Sequence, residues 1–217
     1  MEPKEIKDVI NEIVSKTFTQ IGKVYQCRQE GKNMCYDSKI RTRLIFPHYR
    51  KEKNEEIRIR VSEQELKQVF IEEFNQYCNY NQCDLFYSVE TPTTYKYSFG
   101  DKKNPQKDDE NGQSAMVDMS IHDKDMNRVA LIEFKALNPE KFCFHKDFVK
   151  LTEESKDTDL LTFFIMMVES FQQKTLDSIH DKILTKDEYT DFWCYSLKDQ
   201  IDISDKISKC SKLIYTK

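Results

Sequence analysis

Residues 114–137 read SAMVDMSIHDKDMNRVALIEFKAL. Two β-prone runs flank the polar tetrapeptide 124–127, and so short a connection predicts an antiparallel hairpin. Three charges sit inside these runs: Asp118 in the first, Glu133 and Lys135 in the second. Strand side chains alternate between faces. Glu133 and Lys135 therefore share one face, with Ile132, Phe134 and Ala136 on the other. In the first run Met116, Asp118 and Ser120 oppose Val117, Met119 and Ile121. Asp118 and Glu133 are about equidistant from the turn centre, which makes them near cross-strand neighbours. Adjacent carboxylates repel unless a cation or a shared proton neutralises them. An oxygen-rich site of this kind favours Mg2+ or Mn2+. Lys135 beside it would hold a phosphate or stabilise a metal-bound hydroxide.

The rest of the chain frames the hairpin. Residues 3–26 carry helical spacing through Ile6, Val9, Ile10, Ile13, Phe18 and Ile21. Residues 27–39 are polar and predict a loop. Two short β-like runs follow, TRLIF and EIRIRV, the second with period two. Ser62 and Glu65 form a capping box, and Leu66, Val69, Phe70, Phe74 and Tyr77 then predict a helix over about 63–79. Residues 83–92 predict a strand stopped by Pro92, and residues 100–113 a polar loop. Residues 141–155 predict a helix. DLLTFFIMMVES (159–170) predicts a strand buried on both faces. A helix over 170–184 and a strand over 191–197 follow. The expected architecture is α/β, with a central mixed sheet and helices on both faces.

Acid-x-Lys triplets recur along the chain, but only Glu133-Phe134-Lys135 lies inside a strongly apolar strand. Asp118, a hairpin and Glu133-x-Lys135 together resemble the PD-(D/E)xK nuclease superfamily, the restriction-endonuclease-like fold. The order helix, three strands, helix, strand is similar to that family's αβββαβ core, over about residues 62–167. One departure is Val117, where a Pro often precedes the Asp. The resemblance implies a core over 62–217 with an N-terminal helical and β extension over 1–61, the whole forming one compact unit. It implies Asp118 and Glu133 as Mg2+ ligands, with Mn2+ as a substitute, and Lys135 as the group that orients or activates water. A further Glu from the preceding helix is best matched by Glu65, whose other reading is the capping box alone, with Glu63, Glu72 and Glu73 as weaker matches. The implied activity is metal-dependent phosphodiester hydrolysis of nucleic acid, DNA rather than RNA, in restriction or phage defence. The alternative is a nuclease-like module used only for binding.

Two flanking stretches are candidate substrate contacts. Lys96 lies between Tyr95 and Tyr97. His145, Lys146 and Lys150 follow the motif strand and would line a cleft as backbone contacts. Each also reads as ordinary solvated surface.

The 217 residues carry a net charge of −4, which does not advertise nucleic-acid binding. The distribution is uneven, however: residues 39–60 are rich in Lys and Arg. No apolar run is long enough for a membrane span, and the charged N-terminal stretch lacks a signal-peptide core, so a cytoplasmic setting is expected. Seven Cys without a C-x-x-C read as free thiols, with a zinc site as the sharper alternative. No Gly-rich phosphate loop, nucleophile elbow or HExxH occurs. A homodimer or a larger complex stays open.

Overall fold

The computed structural model describes residues 1–31, 39–50, 58–99, 106–156, 158–183 and 190–207. Helix α1 (Pro3–Gln29) starts from a proline in its first turn and a capping box between Glu2 and Glu5. Strands β1 (His48–Tyr49) and β2 (Arg58–Ile59) pair antiparallel with each other. Helix α2 (Glu63–Asn81) begins at the capping box of Ser62 and Glu65. Then come β3 (Phe86–Ser98), β4 (Gln106–Lys107), β5 (Gln113–His122), β6 (Arg128–Ala136), α3 (Lys141–Ser155), β7 (Leu161–Val168), α4 (Gln173–Ile183), β8 (Thr190–Ser196) and β9 (Ile201–Asp202).

Strands β3 to β9 form one mixed sheet in the order β4-β3-β5-β6-β7-β8-β9. Pairs β6–β7 and β7–β8 are parallel, and α3 and α4 make the crossovers. The expected mixed α/β architecture with flanking helices is the one observed. On one face of the sheet α1 and α2 pack over Ile132, Phe134, Phe163, Ile165 and Met167. On the other, α3 and α4 pack over Leu131, Phe164, Met166 and Val168. The alternation within FFIMMV thus feeds two cores from one strand, as an apolar run of β length should. Each such fully buried Phe, Ile or Met contributes about 1.5–3 kcal/mol.

Helix α1 also reaches β8. Lys7 lies 2.7 Å from Asp191, and the Phe18 and Tyr195 rings stack with centroids 5.0 Å apart. A Cβ on Gly22 would fall 2.3 Å from the Tyr195 hydroxyl, so only glycine permits this approach.

The structure differs from the sequence expectations in several places. Strand β3 does not stop at Pro92: it continues to Ser98, with Pro92 opposite Met116. Strand β4 pairs with Tyr97 and Ser98, so among the described residues no strand pairs with Pro92 on the side away from β5, an edge position of the kind that tolerates proline. The ladder does shift register between Pro92 and Lys96. Helix α1 runs to Gln29, past the expected loop boundary. The expected loop over 100–113 contains β4, while 100–105 lie outside the described residues. Residues 51–57 of the basic run and Cys35 and Cys210 also lie outside them. Cys27, Cys78, Cys83, Cys143 and Cys194 form no disulfide with one another. No described helix is long and apolar enough to cross a membrane.

Candidate functional site

The β5–β6 ladder pairs Met119 with Ile132. One step further on, a side chain replaces the backbone: the Phe134 N–H donates to Asp118 Oδ2 at 2.8 Å. The same point resolves a departure from simple alternation. Val117 packs in the α3/α4 core, whereas Met119 and Ile121 pack in the α1/α2 core. The strand turns over where its ladder ends, and Asp118 sits at the turn-over. Its carboxylate lies 3.6 Å from Lys67 Nζ, which in turn lies 2.6 Å from Glu90.

Glu133 follows Leu131 onto the α3 side and is 2% exposed. Lys150 Nζ donates to Glu133 Oε1 and, at 2.7 Å, to the Met116 carbonyl. It also lies 2.9 Å from Asp147 Oδ1. Asp147 Oδ2 makes an ion contact with Lys135 Nζ at 2.7 Å, and Lys135 lies 3.6 Å from Glu63. The result is a continuous chain, Glu63–Lys135–Asp147–Lys150–Glu133, beside Asp118–Lys67–Glu90. Five carboxylates meet three ammonium groups, so negative charge is in formal excess.

The electrostatics single out one member. Burial raises the proton affinity of Glu133 well above the usual carboxylate range, and Asp147 and Asp118 raise it further against the opposing pull of Lys150. Burial also acts against charge on Lys135, but Asp147 outweighs it and holds the ammonium above its ordinary value. Asp147 is shifted the other way: burial would raise it, yet Lys150 and Lys135 together bring it below its ordinary value. Lys150 is raised, because Glu133 and Asp147 outweigh burial. Glu133 is thus the buried group whose charge is least supported.

Asp118, Glu133, Lys135 and Lys150 are brought into this neighbourhood, and Glu65, Lys96 and Lys146 are not. Glu65 Oε2 accepts from the Ser62 N–H at 2.8 Å and from the Ser62 hydroxyl, which closes the capping box. Its neighbours on the helix, Glu63 and Lys67, reach the network instead. Lys96 is exposed, and its main chain is tied to Asp108 and Asp109. Lys146 Nζ sits 5.9 Å from the Phe99 ring centroid, outside the network. Lys150, expected as a cleft-lining contact, is buried in the ion chain. Asp147, Lys67 and Glu90 were not read from the sequence, and Glu63 was read only as a weaker match than Glu65. A signal for one of these charges exists in α3: Asp147 stands three residues after Phe144 and four before Leu151, at the edge of the apolar stripe.

Two surface cavities, of about 630 and 440 Å³, are lined by no residue of the network. Among the described residues no three His, Cys, Asp or Glu side chains are gathered as a metal-binding group. What the arrangement offers is a pair of carboxylates at a ladder end, a protonated lysine beside them and surplus negative charge. Family models, curated proteins and solved structures give no match to this chain.

Proposed function

We propose that the chain is a divalent-cation-dependent nuclease of the PD-(D/E)xK type, which hydrolyses phosphodiester bonds in nucleic acid and favours DNA. The observation that carries this reading is the placing of Asp118 at the end of the β5–β6 ladder, bonded to Phe134 N–H between Glu133 and Lys135 in sequence. The order α2, β3, β5, β6, α3, β7 and the sheet order β3-β5-β6-β7 also support it.

The donor set fits Mg2+ or Mn2+: the available atoms are carboxylate oxygens, and the network carries more negative than positive charge. Asp118 and Glu133 would hold the ion. When bound, such an ion lowers the pKa of water and stabilises charge on the scissile phosphate. The Phe134 N–H orients Asp118. Asp147 keeps Lys135 protonated, so its charge can face a phosphate. Lys150 ties Glu133 to α3.

The test is cleavage of plasmid DNA, single-stranded DNA and RNA with Mg2+ or Mn2+. Wild type should cut, and Asp118→Ala and Lys135→Ala should each lose about 10²-fold or more. A pure wild-type protein that cuts nothing, or variants that cut equally well, would remove the enzyme reading. One observation favours a second reading, a nuclease-like module that only binds nucleic acid. Lys150 already supplies Glu133 with a cation. On that reading the pair is permanent, and neither metal changes the melting temperature.

A further inference from the structure

Cations on the described surface are commonly met by acids. Lys7 pairs with Asp191, Lys16 with Glu12, Arg128 with Glu154 and Lys198 with Glu169. The segment around β1 and β2 departs from this pattern. Arg43, Arg50, Arg58 and Arg60 are exposed, and among the described residues none pairs with an acid. Arg41, within the same run, is paired with Glu73 at 2.6 Å.

This segment is anchored rather than loose. The Gln20 side chain donates to the Lys39 carbonyl and accepts from Arg41 N–H, and the Arg28 side chain donates to the Phe46 carbonyl. Phe46 is fully buried against Tyr25. The two-stranded pairing then sorts the side chains. Ile59 and Val61 pack on the α1/α2 core. Arg58 and Arg60 alternate with them and turn to solvent. Tyr49, 43% exposed, lies opposite Arg58, and Arg60 N–H donates to the Pro47 carbonyl at 2.8 Å. Tyr49, Arg58 and Arg60 thus form an outward strip, with Arg43 and Arg50 exposed elsewhere in the same segment. Two residues beyond Arg60 stands Ser62, the cap of α2, and Glu63 in the first turn lies 3.6 Å from Lys135.

We infer that this strip, together with the exposed Arg43 and Arg50, binds the phosphate backbone of nucleic acid and delivers it to the α2 end of the carboxylate network. Its place beside a cleavage site rests on the nuclease reading. The chemistry favours this ligand. Arginine forks match phosphate bidentately, and a tyrosine among them stacks on a base. On a chain of net charge −4, a strip of arginines with which no described acid pairs is a local field of opposite sign, complementary to a polyanion.

The test is fluorescence anisotropy with a short DNA duplex, a single strand and an RNA, in EDTA and on an Asp118→Ala background, so that no outcome depends on cleavage. The variant Arg43→Gln, Arg58→Gln, Arg60→Gln should bind on the order of tenfold more weakly or worse. Its log–log salt slope should fall by about 0.9 for each phosphate that the variant no longer neutralises. Lysine at the same three positions should restore most of the slope. If the triple variant does not melt cooperatively, the single changes Arg58→Gln and Arg60→Gln carry the test, each lowering the slope by about 0.9. The inference is overturned if the parent binds no nucleic acid, or if the folded variants bind with unchanged affinity and slope. It is also overturned if anionic phosphatidylserine vesicles bind the strip and nucleic acid does not displace them. Should the wild type never cut while the strip still binds, the nuclease reading fails and this one stands.

Discussion

Glu133 and Glu154 are both buried carboxylates, one on β6 facing α3 and one on α3 itself, and their surroundings differ in kind. Glu154 accepts Thr94 N–H at 2.8 Å, Tyr95 N–H at 3.0 Å and the Tyr97 hydroxyl at 3.1 Å, with Arg128 at 3.7 Å. Neutral donors saturate it, and the effect is to fasten the irregular part of β3 onto α3. Glu133 meets an ammonium group, Lys150, with Asp147 and Asp118 close enough to disfavour its charge. A carboxylate ringed by N–H groups holds a fold together. One ringed by other charges is poised to change partners.

The largest effects should separate the two. Glu133→Gln should cut cleavage by about 10²-fold or more while thermal stability stays at or above wild type, since a crowded charge is removed. Glu154→Ala should do the opposite. It strands two strand N–H groups and a tyrosine hydroxyl, costs about 3 kcal/mol in denaturant melts, and leaves the rate per folded molecule unchanged. Lys150→Met sharpens the contrast from the other side. Stripping the counter-ion from a buried carboxylate should cost about 3 kcal/mol without metal, and the stabilisation on adding Mn2+ should exceed that of wild type. A calorimetric scan with and without the ion reads this directly.

A smaller effect concerns pH. The folded chain raises the proton affinity of Glu133, so it binds a proton that the unfolded chain releases. That penalty on stability is absent below the ordinary carboxylate range and grows as pH rises above it. Asp147 has the reverse sign: its contribution is present above the ordinary range and is lost as pH falls through its lowered value. The melting-temperature advantage of Glu133→Gln over wild type should therefore widen from acid to neutral pH. A constant gap would mean that Glu133 is not the strained charge. Smallest of all, Glu65→Ala should cost about 1 kcal/mol through the lost cap, with cleavage per folded molecule unaltered.

Where apolar spacing carries the information, the fold is legible in the chain. The capping box marks the start of α2, the residue span 141–155 coincides with α3, and FFIMMV reads as a doubly buried strand. The hairpin count brings Asp118 next to Glu133 because turn length and strand period are local properties. Pro92 misled because its tolerance depends on which strand lies beside it, a fact of the sheet order and not of the residue. Val117 misled because period two holds only while the ladder does, and Asp118 ends the ladder. The network was only partly legible for a related reason. A charge on a helix is read as solvated unless its angular position is compared with the apolar stripe. Asp147 sits beside that stripe in α3, and Lys67 next to Phe70 and Phe74 does so in α2.

The contact of α1 with β8 has a consequence in time. Lys7 and Asp191 are 184 positions apart, and Gly22 is shaped to receive Tyr195. On the ribosome α1 emerges long before β8, so its stripe can dock on α2 but cannot close over the sheet until residues 190–196 are made. Assembly of the first core is therefore finished by one of the last strands, and a nascent chain halted before Thr190 would carry that apolar groove open to whatever chaperone or neighbour meets it first.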